Sequence, residues 1–141
     1  RNTKKHSMCN IKAFIAGMVF PATALPFAYA ILYKFGPEAI QSQPFQFLPL
    51  FLPIVFGVYN ILYIDVTKKA TEQNKNKALW IMGAGLGLAV AITSVFFIQL
   101  PTLLFGIENA QKFIPLITVP IIYSLIWRYI VKYCNTLLGV K

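Results

Sequence analysis

Four long runs of apolar residues dominate the pattern of the chain, and short polar segments separate them. Each run has at least 20 residues, and the first three contain no charged side chain. A bilayer core about 30 Å thick needs roughly 20 apolar residues of helix. The pattern therefore predicts four transmembrane helices. We place them at residues 13–33, 45–64, 78–100 and 113–133.

Two other architectures fit this pattern poorly. A soluble helix carries a polar stripe at the helical period, whereas residues 79–98 read LWIMGAGLGLAVAITSVFFI and show none. The strands of a transmembrane barrel alternate apolar and polar residues over about 10 positions, and these runs do not alternate. We therefore expect an all-α integral membrane protein, with residues 1–141 forming a single four-helix bundle domain.

Lysine and arginine fall in alternate polar segments of the chain. Four lie before the first helix, one in the first loop, four in the second loop, one in the third loop and three at the C-terminal end. Short loops rich in Lys and Arg stay in the cytoplasm. We therefore expect a multi-pass protein of the cell membrane, with both termini and the basic loop at residues 65–77 in the cytoplasm.

Composition supports the membrane and argues against nucleic acid as a partner. Hydrophobic residues make up 57% of the 141 residues and charged residues 12%, against roughly 45–50% and about 25% in soluble domains. The net charge of +9 suits contact with anionic lipid headgroups. The basic segments lack a recognition fold and interleaved aromatic residues, so we expect membrane lipids, and no nucleic acid, as partners.

The two outer loops resemble each other. Residues 35–41 and 105–111 both read F-G-x-E-x-x-Q, and a Pro-Ile pair follows each of them, at Pro53-Ile54 and at Pro120-Ile121. The match requires gaps. One interpretation is a duplicated helical hairpin whose halves are parallel repeats about an axis along the membrane normal. The other is coincidence in a chain rich in Phe, Ile, Leu and Pro.

Two acids and two prolines are candidates for a transport site. Glu38 and Glu108 are the acids of the outer loops. They serve either as helix-start acids, where the helix dipole favours an anion, or as a carboxylate pair that attracts a cation to an outer mouth. Pro21 and Pro26 interrupt the first helix, and each leaves a carbonyl without its usual partner. Such carbonyls either accompany a kink that shapes packing or line a cavity.

Small residues recur every four positions on the third predicted helix, at Gly83, Gly87 and Ala91. They share one face and let a neighbouring backbone approach closely. The neighbour is a helix of the same bundle or a helix of a second subunit. Asn60, on the second predicted helix, is a candidate for a hydrogen bond between helices, and we favour a packing role for it.

Aromatic and basic residues cluster near the end of the fourth predicted helix. Aromatic rings and the long side chains of Arg and Lys favour the membrane interface. We therefore expect Arg128, Trp127, Tyr129 and Lys132 to anchor the cytoplasmic interface. In a second interpretation, Arg128 pairs with Asp65.

The residue types that usually carry catalysis or hold a metal are sparse. Cys9, Cys134 and the sole histidine, His6, lie on the predicted cytoplasmic side, where thiols stay reduced. A protein zinc site takes four ligands, or three and water, and these residues form no recognisable set. We expect no metal site, no cofactor and no catalytic residue.

Three functions remain open. The one we favour is a non-enzymatic scaffold, assembly factor or subunit of a membrane complex, with a second copy or another membrane protein as partner. The alternative is a small oligomeric transporter or channel with an acidic outer mouth. The third is a lipid-active membrane enzyme that uses Arg128 and tyrosines near the headgroups.

Overall fold

The computed structural model of the chain describes residues 2–36 and 43–140, with the side chains of 2–7, 32, 35 and 43–49 left undescribed. Every regular element in these ranges is helical. The helices are α1 (Asn2–Phe35), α2 (Gln43–Thr67), α3 (Glu72–Ile92), α4 (Leu100–Phe105), α5 (Pro115–Leu125) and α6 (Lys132–Leu137). A π-helical turn at Thr93–Phe97 prolongs α3, a 3-10 turn at Ala110–Phe113 precedes α5, and a second π turn at Ile126–Val131 joins α5 to α6.

Four helical stretches within the described residues are long and apolar enough to cross a membrane. The prediction of an all-helical chain with four such helices is confirmed. Their ends differ by several residues from the predicted ends. The stretches are Met8–Ile31, Leu50–Thr67, Glu72–Phe97 and Ala110–Leu137.

The basic segment predicted as a loop at residues 65–77 is largely helical. The connection between α2 and α3 spans only residues 68–71. Thr71 caps α3, because its side chain accepts a hydrogen bond from the backbone N–H of Asn74. Glu72 places an acid in the first turn, where the helix dipole favours a negative charge. Lys75 pairs with Glu72 at 3.2 Å. These local contacts let a polar sequence form a helix.

The third predicted helix ends before residue 100. Gln99 adopts a left-handed conformation, with φ of 53°, and α4 begins at the next residue. Pro101 lies in the first turn of α4, where its missing N–H costs no helical hydrogen bond. The chain therefore changes direction at Gln99 and continues as a short separate helix.

The four long helices form two hairpins. α1 packs along α2, and α3 packs along α5, with fewer contacts between the hairpins. We call the end of the bundle that carries the α2–α3 connection and α6 the basic end, and the end that carries α4 the opposite end.

A glycine brings the helices of each hairpin close together. A Cβ atom built on Gly17 of α1 would lie 2.5 Å from the carbonyl oxygen of Phe56 and 2.7 Å from Cβ of Asn60. A Cβ atom on Gly83 of α3 would lie 2.7 Å from Cα of Ser124. Neither position has room for a side chain, so each hairpin depends on direct contact between backbones.

Trp127 fills the space between the hairpins. Its side chain is fully buried, and the rings of Phe56, Tyr59 and Tyr63 surround it at centroid distances of 6.2, 5.3 and 6.3 Å. The Tyr59 and Tyr63 rings meet it edge-on, an orientation that aromatic pairs favour. Leu79, Leu86 and Val131 complete this core.

Large apolar side chains cover the outside of the bundle. Phe97 is 80% exposed, Phe27 74% and Ile81 70%. A soluble monomer rarely exposes contiguous apolar patches larger than a few hundred Å². Such a surface is expected of helices that have lipid as their solvent.

The packing of α3 against α5 predicts opposite outcomes for two glycines on the same helix. Gly83→Ala should lower the free energy of unfolding by about 1–3 kcal/mol, because the new methyl group overlaps the α5 backbone. Gly85→Ala should be neutral or stabilising, because its methyl group would meet only the Tyr59 hydroxyl, at 3.4 Å. Unfolding in mild detergent measures both variants. Equal effects would contradict the proposed role of Gly83.

Candidate functional site

Of the two acids predicted to form an acidic outer mouth, the structure describes only Glu108, at the opposite end. Glu38 lies outside the described residues. Glu108 is exposed and lines an open cavity of about 380 Å³ together with Gln99, Thr102 and Lys112. The Glu108 carboxylate therefore shares its cavity with a cation.

The two prolines of α1 have different surroundings. Pro21 is buried and lines an apolar cleft of about 220 Å³, whose walls also include Ala24, Leu52 and Tyr123. Pro26 is exposed and is not part of that wall. We call this space between α1, α2 and α5 the apolar cleft.

The small-residue face of α3 points into the bundle. Gly83, Gly87 and Ala91 are all buried. A Cβ atom on Gly87 would lie 2.7 Å from Cα of Pro120. Gly83 and Gly87 therefore both pack directly against the backbone of α5 in the same chain. In the described chain, the neighbour of these two glycines is a helix of the same bundle.

Trp127 occupies a different place from the interface position we expected. It lies in the aromatic core because it faces the other hairpin, and a preference for the membrane interface acts only on rings that face lipid. Its Nε1 atom is buried without a hydrogen-bond partner among the described residues. Tyr129 faces outward and is 64% exposed, whereas Arg128 and Lys132 are half-buried.

Arg128 and Lys132 converge on one neutral atom. The Arg128 guanidinium and the Lys132 ammonium each donate a hydrogen bond of 2.9 Å to Oδ1 of Asn76, in α3. The ion pair between Arg128 and Asp65, which was the second interpretation, is not formed among the described residues, and Asp65 is exposed. The two cations therefore share an acceptor that carries no charge.

A cavity of about 320 Å³ lies beside this contact at the basic end. We call it the basic pocket. Its wall combines residues from the end of α2, the start of α3 and the C-terminal part of the chain. It includes Thr67, Lys75, Asn76, Lys132 and Asn135.

A pair of buried amides lies next to the basic pocket, and one of them, Asn135, is part of its wall. Asn60 Nδ2 donates to Oδ1 of Asn135 at 2.8 Å and to the Ala13 carbonyl at 2.7 Å. Asn135 Nδ2 donates back to Oδ1 of Asn60 at 3.1 Å. Three helices, α1, α2 and α6, are thereby joined at one point.

Sequence reasoning singled out Asn60 but missed Asn135. The available signal was spacing, because Trp127, Val131 and Asn135 recur every four residues and all three are buried. The same reasoning missed Gly17 and Gly57, which lie apart in sequence and come together only when α1 packs on α2.

Metal chemistry receives no support from the described residues, which contain no group of three His, Cys, Asp or Glu side chains that could hold an ion. Cys9 and Cys134 are free thiols. No protein-family model, curated protein or solved structure matches this chain.

The amide pair predicts non-additive effects of substitution. Asn60→Leu and Asn135→Leu should each destabilise the bundle, because each leaves the other amide buried without its partner. The double variant should cost less than the sum of the two, with a coupling of about 1 kcal/mol. Unfolding of the four proteins in detergent gives this cycle. Strict additivity would contradict the pairing.

Proposed function

We propose that the chain is a four-span integral membrane protein of the cell membrane, with both termini and the basic end in the cytoplasm. Four helices of sufficient length and an apolar outer surface support membrane insertion. The alternation of Lys and Arg along the chain supports the orientation.

We propose further that the protein is a non-enzymatic component of a membrane complex, and the filled middle of the bundle carries this proposal. Trp127 and its three aromatic neighbours occupy the space between the hairpins. The amide pair of Asn60 and Asn135 ties α2 to α6 close by. A bundle held together in this way suits a structural role better than passage of a solute through its own centre.

The two other functions find less support in the geometry. Of the residues proposed for an acidic transport site, Pro26 is exposed and Glu108 shares its cavity with Lys112. Arg128, proposed for lipid chemistry, is engaged with Asn76.

The contacts of the hairpins support the proposal that they arose by duplication. The alignment that pairs Pro53-Ile54 with Pro120-Ile121 also pairs Phe56 with Tyr123, Gly57 with Ser124 and Asn60 with Trp127. A Cβ atom on Gly17 would overlap with Phe56, Gly57 and Asn60. A Cβ atom on Gly83 would overlap with their counterparts Tyr123, Ser124 and Trp127. Corresponding positions therefore make the same helix crossing in both hairpins.

A one-residue difference follows this crossing. The next buried residue after Asn60 is Tyr63, three positions on, whereas the next after Trp127 is Val131, four positions on. The extra residue falls within the π turn at Ile126–Val131, a structure that accommodates one more residue than an α-helical turn. We infer that the second hairpin carries an insertion there.

The apolar cleft is the place where we propose that a partner binds. Its walls are almost entirely apolar and include the small side chains of Ala24 and Ala28. Small residues allow a further helix to approach closely within lipid. We propose a transmembrane segment of the partner as the occupant.

Cysteine accessibility tests the orientation. In a Cys9→Ser/Cys134→Ser background, Glu108→Cys should react with a membrane-impermeant maleimide in intact cells. Lys69→Cys, on the α2–α3 connection, should react only after the membrane is permeabilised. Both sites are exposed in the bundle, so reactivity reports the side of the membrane. Labelling of Lys69→Cys in intact cells would contradict the proposed topology.

Co-purification tests the role in a complex. After extraction with mild detergent, the wild-type chain should retain a partner in fixed stoichiometry. Ala24→Phe should lose it, because the ring fills the apolar cleft, whereas Ala30→Phe, on the exposed side of α1, should keep it. A chain that purifies alone and supports selective ion flux in liposomes would favour the transporter instead.

A further inference from the structure

The charges at the basic pocket are unbalanced. Lys75 and Lys132 are among the residues that line it, and the acid Glu72 lies beside them. Glu72 is 79% exposed and pairs with Lys75. Arg128 adds a further cation through its bond to Asn76. The described wall of the pocket therefore carries an excess of positive charge.

The shared contact of Arg128 and Lys132 is the most informative part of this arrangement. Two cations within hydrogen-bond distance of the same atom repel each other, and a neutral amide oxygen offsets this repulsion far less than a carboxylate or phosphate would. Both side chains are half-buried, so water screens them only in part. An anion placed in the adjacent cavity would supply the missing countercharge.

The surrounding polar groups suit a phosphate group. Asn76, Asn135 and Thr136 line the same pocket, and amide or hydroxyl donors together with Lys and Arg are common ligands of phosphate oxygens. The pocket lies at the end of membrane-length helices, where headgroups would be found. Basic pockets between helices on the cytoplasmic side bind phosphorylated headgroups in other membrane proteins.

We propose that the basic pocket binds a phosphate monoester or diester, which Lys132 contacts from the pocket wall and which Arg128 attracts from its position beside Asn76. The anionic headgroup of a lipid is one source of this group, and soluble phosphate is the other. The lipid source rests on the membrane location proposed above.

Binding to the purified chain in uncharged detergent tests the proposal. Phosphatidylglycerol, phosphatidylcholine and inorganic phosphate are titrated separately, and the dissociation constant and the thermal midpoint are recorded. Wild-type protein should bind phosphatidylglycerol more tightly than phosphatidylcholine. Arg128→Gln/Lys132→Gln should weaken that binding on the order of tenfold.

Asn76→Asp provides a second test that does not remove a donor. It places a carboxylate where Arg128 and Lys132 already point, so it should raise the thermal midpoint without ligand and weaken binding of the anion. Asn74→Asp, an exposed position in the first turn of α3, makes the same change of charge outside the pocket. The helix dipole favours an acid there, so this variant should raise the midpoint less than Asn76→Asp does and should leave binding of the anion unchanged.

The controls separate the pocket from general charge. Lys69→Gln/Lys77→Gln removes two exposed cations that do not line the pocket, and it should bind as the wild type does. Equal weakening in both double variants, or wild-type binding by Asn76→Asp, would overturn the proposal. Binding of inorganic phosphate with the same dependence on Arg128 and Lys132, and no preference among lipids, would support the phosphate site and assign it to a soluble ligand.

These outcomes are independent of the proposed role in a complex. The titrations use the isolated chain, so loss of the phosphate site would leave both partner retention and cysteine topology unchanged. A failure of the topology experiment, in turn, would remove the lipid as the source while leaving the phosphate titration interpretable.

Discussion

The outward-facing side chains of the four long helices set the constraint on which the rest of the structure depends. Residues such as Phe97 and Ile81 are largely exposed, which would be costly in water. With lipid as solvent, these side chains need no burial, and burying them gains little. The helices must then associate through close van der Waals contact and hydrogen bonds between them. Both kinds of contact are present in the bundle.

Close contact acts within the hairpins, and hydrogen bonds act both within and between them. Gly17 and Gly83 let backbones meet at corresponding places in the two hairpins. Asn60 and Asn135 then join the first hairpin to the second, beside the aromatic core around Trp127. Toward the opposite end the same packing leaves the apolar cleft.

The number and type of the long helices could be predicted because a run of about 20 uncharged residues has few other ways to satisfy its backbone. The ends of the helices were harder to place, since the Thr71 cap turned much of a predicted loop into α3. The burial of Trp127 and the pairing of Asn135 could not be predicted, because both depend on which side of the last helix faces inward. Composition does not indicate that side when all sides of the helix are apolar. The basic pocket is lined by residues that lie far apart in the sequence, such as Asn76 and Lys132, so no local sequence pattern indicates it.

The central claim is that lipid surrounds this bundle, and extraction of membranes at alkaline pH tests it most directly. This treatment opens vesicles and releases proteins that are bound only at the surface. We expect that the chain stays in the membrane pellet and is released only by detergent. Recovery in the alkaline supernatant, as a monodisperse and folded protein without detergent, would contradict it.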